Sequence, residues 1–253
     1  MAQEKTYIYG KHVVVEALRS IPGAIDRVFV APQVDDKELR ELLHETKTQT
    51  RVLAQGALPQ EIMESAHQGI VGIISLEGLL RPYREFADTL TVNPDTALVL
   101  LDEIQDPQNV GAIIRSAAAF GIRGVLIPEH NQAQLTGMVL KVSAGMAFRV
   151  PLVGIGNVNM TVRDLKDRGF WIYGLDEAGN HPLSKEVFDV PALFVLGNEA
   201  KGIRQKTREL CDILLSIPLN PECESLNVAA SAAVTLYAWS SEHPNALRTS
   251  LKK

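Results

Sequence analysis

Ala97-Leu98-Val99-Leu100-Leu101-Asp102-Glu103-Ile104-Gln105-Asp106-Pro107-Gln108-Asn109-Val110-Gly111-Ala112-Ile113-Ile114-Arg115-Ser116 passes from an unbroken apolar run through polar residues into a second apolar stretch of helical length. Five consecutive apolar residues suit a strand covered on both faces, the condition of a parallel sheet. The same sign recurs at 124–127, 150–153, 170–173, 192–196 and 213–217, with helical patterns at 109–120, 135–144, 161–168, 204–210 and 226–239. Strands alternating with helices predict a doubly wound α/β sheet.

Towards the N-terminus, residues 81–95 break the pattern with Pro82, Pro94 and several charges, which reads as a connector. Before it, helices at 11–19 and 37–46 alternate with strands at 27–30, 51–54 and 70–76, so a smaller α/β unit precedes the sheet. The reading is a first domain over 1–76, a linker over 77–95, a second domain over 96–245 and a polar tail over 246–253, with fraying expected from His243 onward. A length of 253 residues accommodates two small domains, each with a core of its own.

With 46% hydrophobic and 22% charged residues, the composition is that of an ordinary globular protein. The N-terminus leads into no apolar signal-like region, and no run approaches the ~20 apolar residues of a membrane span. A cytoplasmic protein without a membrane partner is expected. Cys211 and Cys223 are the sole cysteines and the six histidines are scattered, so neither a disulfide framework nor a bound metal is expected. A net charge of −5 excludes nucleic-acid binding by bulk attraction and leaves only local contacts. Residues 1–76 hold eight basic and ten acidic side chains. Lys11, His12 and Arg19 are its candidate phosphate contacts, against the alternative of ordinary solvated charges.

Three clusters follow predicted strands, where open α/β sheets bind ligands. In the first, Arg115 is the only charge between Val110 and Phe120, so it must reach water or meet an anion. Asn109 there is either a helix N-cap or a ligand for substrate. In the second, Leu196-Gly197-Asn198-Glu199-Ala200-Lys201-Gly202-Ile203, the glycines permit close approach to the backbone and Glu199 is a candidate anion for Arg115. The third, Ile217-Pro218-Leu219-Asn220 followed by Glu224-Ser225-Leu226-Asn227-Val228-Ala229-Ala230, enters a helix apolar on nearly every face, which protein must enclose. Ser225 and Asn227 fit a helix cap as well as a polar site.

Taken in order, Asp106-Pro107-Gln108-Asn109-Val110-Gly111 with Arg115, Gly197-Asn198-Glu199 with Lys201-Gly202, and Ile217-Pro218 with Glu224-Ser225-Leu226-Asn227-Val228-Ala229 resemble the three signature motifs of the SpoU family of RNA ribose methyltransferases, of the SPOUT class. Tyr7-Ile8-Tyr9-Gly10-Lys11-His12 and His67-Gln68-Gly69-Ile70 are similar to the ribosomal-protein-like RNA-binding domain that precedes the catalytic domain in one branch. The resemblance implies transfer of a methyl group from S-adenosylmethionine to a ribose 2′-hydroxyl of ribosomal RNA, a guanosine in the peptidyl-transferase region. It further implies a homodimer and a trefoil knot in the second domain, where periodicity alone predicts an ordinary Rossmann-like sheet.

By the same resemblance Arg115, Glu199, Asn109, Ser225 and Asn227 are catalytic, and Leu196, Gly197, Ile217 and Leu226 enclose the cofactor. Ala200 stands where many relatives have glycine, and a positive φ there would strain it. Arginine stays protonated, so the expected role of Arg115 is to clamp an RNA phosphate and stabilise developing alkoxide, with Glu199 orienting it. Other readings are methylation of transfer RNA, methylation of an rRNA adenosine of the resistance type, and a non-catalytic RNA-binding assembly factor. A nicotinamide enzyme requires a full glycine fingerprint, and Gly154-Ile155-Gly156, expected as a loop near the site, lacks the third glycine.

Overall fold

In the computed structural model, which describes residues 5–54, 56–76 and 78–248, the chain forms two sheets. The first contains β1 (Lys5–Tyr9), β2 (Ile25–Val30), β3 (Thr50–Val52) and β4 (Ile70–Ser75) in the order β1-β4-β2-β3, with helices α1 (Lys11–Ser20), α2 (Lys37–Glu45) and α3 (Gln60–Met63). The β1 strand was not expected. Its Ile8 is buried while Tyr7 and Tyr9 are half-buried on the opposite face, the two-residue period of a strand at a sheet edge.

The second sheet contains β5 (Leu80–Pro82), β6 (Ala97–Asp102), β7 (Gly124–Pro128), β8 (Leu152–Ile155), β9 (Trp171–Leu175), β10 (His181–Pro182), β11 (Ala192–Gly197) and β12 (Ile213–Ser216). Its order is β10-β12-β9-β11-β6-β7-β8-β5, with every paired neighbour parallel. Helices α4 (Tyr83–Thr89), α5 (Pro107–Ala119), α6 (Gly137–Val142), α7 (Val158–Asp167), α8 (Gln205–Arg208), α9 (Val228–Glu242) and α10 (Pro244–Arg248) complete it. The β6 and β11 strands are buried at every position. Ala97, Val99, Leu101, Phe194 and Leu196 join a core with α5 and α9, whereas Leu98, Leu100, Leu193 and Val195 join one with α7. A parallel sheet covered on both faces requires this double burial.

From β6 the chain runs outward through β7 and β8, and later strands lie on the opposite side, with β11 against β6. The carboxyl ends of β6 and β11 therefore form the switch point of the sheet, the place at which open α/β sheets offer a crevice to ligands. Gly154 and Ile155 belong to β8 itself, separated from β6 by β7, so that stretch is not a loop at the crevice.

Three expectations about organisation change. Within 77–95, read as a linker, β5 pairs with β8 and α4 places Phe86 beneath Gly124, where a Cβ would stand 2.6 Å from the ring. Proline is tolerated there because β5 is an edge strand and Pro82 precedes α4. The first unit does not keep a separate core: Ile8, Val14 and Leu18 are continuous with Ala147, Phe148 and Val150. Buried Glu16 meets Arg149 through Oε1–Nε at 2.5 Å and Oε2–Nη2 at 2.8 Å, and a Cβ on Gly137 would lie 2.2 Å from the Tyr7 carbonyl oxygen. Finally, His243 is not frayed. It is 5% exposed, its Nε2 stands 2.7 Å from the Phe188 carbonyl oxygen, its Nδ1 2.9 Å from Asp95 Oδ1, and Trp239 stacks on its ring. The rest of the expected tail, 249–253, lies outside the described residues.

Removing the imidazole strips its ring nitrogens from the Phe188 carbonyl and the Asp95 carboxylate. His243→Ala is expected to lower stability by about 2–4 kcal/mol, read as a fall in the thermal or urea midpoint. An unchanged midpoint would show that the C-terminal anchor contributes nothing.

Candidate active site

The α5 helix begins with Asp106 as its N-cap, whose side chain accepts from the Gln108 N–H at 2.8 Å, followed by Pro107. That leaves Asn109 free of capping. It is 8% exposed, and its Nδ2 donates to Glu199 Oε1 at 2.9 Å while its Oδ1 accepts from Asn227 Nδ2, also at 2.9 Å. Asn227 is the N-cap of α9, accepting from the N–H groups of Ala229 at 2.8 Å and Ala230 at 3.3 Å. The same amide thus caps α9 through its oxygen and reaches Asn109 through its nitrogen. Glu199, Asn109 and Asn227 thus form a chain of hydrogen bonds linking three distant segments.

Glu199 also accepts from the backbone N–H of Asp106 at 3.2 Å and of Gln105 at 3.4 Å. Burial raises the cost of ionising it. The Asn109 amide and the surrounding backbone N–H groups outweigh that burial and hold the carboxyl below its ordinary range. The loop carrying it is closed by paired backbone bonds between Asn198 and Gly202, at 3.0 and 2.9 Å. Gly197 is indispensable there, because a Cβ would lie 2.2 Å from the Ile203 nitrogen. Gly202 has φ +68°, whereas Ala200 does not adopt a positive φ, so alanine brings no strain to the motif.

Arg115 is exposed and, among the described residues, forms no ion pair with Glu199, contrary to expectation. Glu199 directs its lone pairs at Asn109 and the start of α5 instead, and Arg115 lies further along that helix. Ser225 is exposed and its hydroxyl has no partner among the described residues. Leu196 is buried at the end of β11, Ile217 is half-buried after β12, and Leu226 is 36% exposed just before α9. Residues 217–227 cross from β12, beyond β9, back to α9, which packs against α5 and β11. Ile217 and Leu226 supply apolar surface and the adjoining loop supplies backbone polar groups, a donor set that fits an adenosine better than a phosphate.

The α9 helix is not wholly enclosed. Ala230, Val234, Tyr237 and Ser241 are exposed along one face, and Tyr237 meets Phe120 edge-on with ring centroids 6.0 Å apart. Two residues that sequence reading passed over stand beside the crevice: Asp102, fully buried at the end of β6, and Arg204, 102 positions later, which binds it. A lone acid ending a fully apolar strand was the available signal. Among the described residues, no group of His, Cys, Asp or Glu is arranged to hold a metal ion.

A carboxyl whose folded-state pKa is depressed adds stability that is complete above its unfolded value and is lost as pH falls through the folded value. Glu199→Gln is therefore expected to flatten the dependence of the melting temperature on pH in the acid range below the ordinary glutamate value. Melting curves across that range check this, and parallel profiles for both proteins would refute it. Burial also pushes the Cys211 thiol up to about 12, whereas Cys223 is exposed in the loop before α9. An alkylating reagent near neutral pH should label Cys223 and spare Cys211, as peptide mass mapping would show.

Comparison with known proteins agrees with this geometry. Residues 96–237 match the SpoU rRNA Methylase family, and residues 7–77 match the RNA 2′-O ribose methyltransferase substrate binding domain. The chain is 34% identical to the 23S rRNA (guanosine-2′-O-)-methyltransferase RlmB of Nitrosomonas europaea, over 94% of this chain and 92% of that protein. It is also 34% identical to RlmB of Escherichia coli K12, over 91% and 96% respectively. Among solved structures, the SpoU methyltransferase AviRb from Streptomyces viridochromogenes, in complex with the cofactor AdoMet, superposes with a TM-score of 0.78 at 26% identity, covering 95% of this chain and 91% of that one. With both halves matched in order and the switch-point network built from all three motifs, this chain belongs to the SpoU rRNA methylase family.

Proposed function

We propose that this chain methylates the ribose 2′-hydroxyl of a guanosine in 23S rRNA, within the peptidyl-transferase region, using S-adenosylmethionine. The observation that carries the reading is the convergence of Asn109, Glu199 and Asn227 at the switch point of the sheet. Identity of about a third to RlmB proteins over more than nine-tenths of both lengths supports the guanosine and the 23S rRNA. Such a substrate places the work in the cytoplasm, and no helix among the described residues is long and apolar enough to cross a membrane.

When bound, S-adenosylmethionine supplies a methyl group on a sulfonium, so that transfer to oxygen leaves a neutral thioether. Leu196, Gly197, Ile217 and Leu226 would hold it. Glu199 remains ionised and fixes Asn109, which with Asn227 holds the polar side of the crevice, and Ser225 orients the ribose. Arg115, free of any acidic partner among the described residues, clamps a phosphate of the RNA and offers its N–H groups to the oxygen as the hydroxyl proton leaves to phosphate or water. Its positive charge is not spent on Glu199, which favours contact with RNA.

Residues 1–76 present the RNA, 77–95 join the two units, and 96–245 perform the transfer, with the knot belonging to the latter. Lys11 and Arg19 are poor candidates for phosphate contact: Lys11 meets Asp36 at 2.5 Å and Glu38 at 3.7 Å, and Arg19 pairs with Glu38. They tie α1 to α2, and His12 remains exposed. The homodimer forms through the exposed face of α9 around Val234 and Tyr237, next to Phe120.

The test is incubation with labelled S-adenosylmethionine and 23S rRNA from a strain lacking the modification, followed by primer extension at low nucleotide concentration. A new stop at one guanosine is expected. Arg115→Lys keeps the charge but loses the planar fork, and should lower turnover by about 100-fold. Turnover near that of the unaltered protein would remove Arg115 from its role, and absence of any stop would remove the proposed substrate. Lys11→Gln should leave the KM for RNA unchanged.

A further inference from the structure

We propose that Asp102 and Arg204 are positioning residues for the methyl transfer, a clasp that sets where Glu199 stands relative to Asn109. This rests on the function proposed above. Asp102 ends β6 with a side chain 0% exposed. Its Oδ2 accepts from the Arg204 backbone N–H at 2.9 Å, and its Oδ1 accepts from Arg204 Nε at 2.8 Å and Nη2 at 2.6 Å. Nη1 of the same guanidinium lies 3.4 Å from Glu103 Oε1. One buried carboxylate thereby fixes both the main chain and the side chain of a residue far along the sequence.

The clasp stands where both halves of the network begin. On one side of it, residues 103–106 lead into α5 and supply the Gln105 and Asp106 N–H donors, then Asn109. On the other, residues 198–203 form the loop that carries the acceptor Glu199. The near end of that loop is tied back as well, by Asn198 Nδ2 donating to the Glu103 carbonyl at 2.8 Å. Glu103 adopts φ +67°, a left-handed conformation that strains a residue with a side chain. Strain of this kind persists where surrounding contacts over-determine the backbone, and here Asn198, Arg204 and Asn131 all bind Glu103. The Asp102–Arg204 contact thus joins the two segments at their roots, alongside the Asn198 bond to Glu103 and the Gln132 side chain that accepts from the Ile104 N–H at 2.9 Å. The guanidinium is 42% exposed, so its loss opens little core, but it leaves the buried Asp102 carboxylate with the Arg204 backbone N–H alone and frees the loop to shift relative to α5. A displacement near 1 Å at a reaction centre lowers rate by about 100-fold.

The experiment compares the unaltered protein with Arg204→Ala and Arg204→Lys, using labelled S-adenosylmethionine, 23S rRNA and the side-chain amide NMR signals of Asn109. For Arg204→Ala, kcat should fall about 100-fold with KM for RNA changed by less than about threefold, and the Asn109 signals should shift or broaden. Millimolar guanidinium should restore part of kcat and the signals, and Arg204→Lys should fall between the two proteins. Retained kcat, Asn109 signals that stay in place, or failure of guanidinium to restore anything would each overturn the clasp. If Arg204→Ala does not fold, Arg204→Lys carries the comparison, and turnover and Asn109 signals like those of the unaltered protein would overturn it. Should the unaltered protein transfer no methyl group to 23S rRNA, the functional reading fails alone, because the amide signals still report on the clasp without substrate.

Discussion

A carboxylate drawn partly out of water must be given donors, and Glu199 obtains them from segments far apart in the chain. Two come from the backbone entering α5, one from the neighbouring Asn198 amide, and one from Asn109, which is in turn bound by the cap of α9. Three strand-to-helix connections are thereby brought to one point. Parallel strands alone would align their ends without fixing the loops beyond them. The amides contribute no net charge, so Glu199 stays ionised while the Arg115 guanidinium is left to other partners. This separation of anion and cation within one chain distinguishes the arrangement from an internal salt bridge, and it suits a site that must receive a polyanion.

The second sheet was legible because its strands are buried on both faces and therefore read as unbroken apolar runs. The observed strands 97–102, 124–128, 192–197 and 213–216 lie close to those expected. The small edge elements were not legible. A three-residue strand containing Pro82 carries no periodic signal, and its identity depends on Leu152 and Val153 lying alongside. His243 shows the same limit at the other end, since a polar residue near a terminus gives no hint that Asp95 and Phe188 await its ring nitrogens.

Within the site, Asn109, Glu199 and Asn227 were identified from motif order, and the structure brings them together. The expected pairing of Arg115 with Glu199 failed because sequence spacing cannot tell how many backbone donors a carboxylate will meet. Asp102 and Arg204 escaped notice for a related reason. Each looks like an ordinary charge at the end of an element, and their significance lies in a contact across 102 positions. The first unit teaches a further point about charge. Its Lys11 and Arg19 stood out as local candidates for RNA contact, yet both are occupied by neighbouring acids.

Residues 192–197 lie beside residues 97–102 through six successive pairs, although nearly a hundred residues separate them. During synthesis the earlier strand leaves the ribosome long before its neighbour exists. Its hydrogen-bonding edge, fully apolar on both faces, then has no legitimate companion, and such an edge recruits foreign strands. Nascent chains of intermediate length therefore carry an open strand edge that closes only when residues 192–197 emerge.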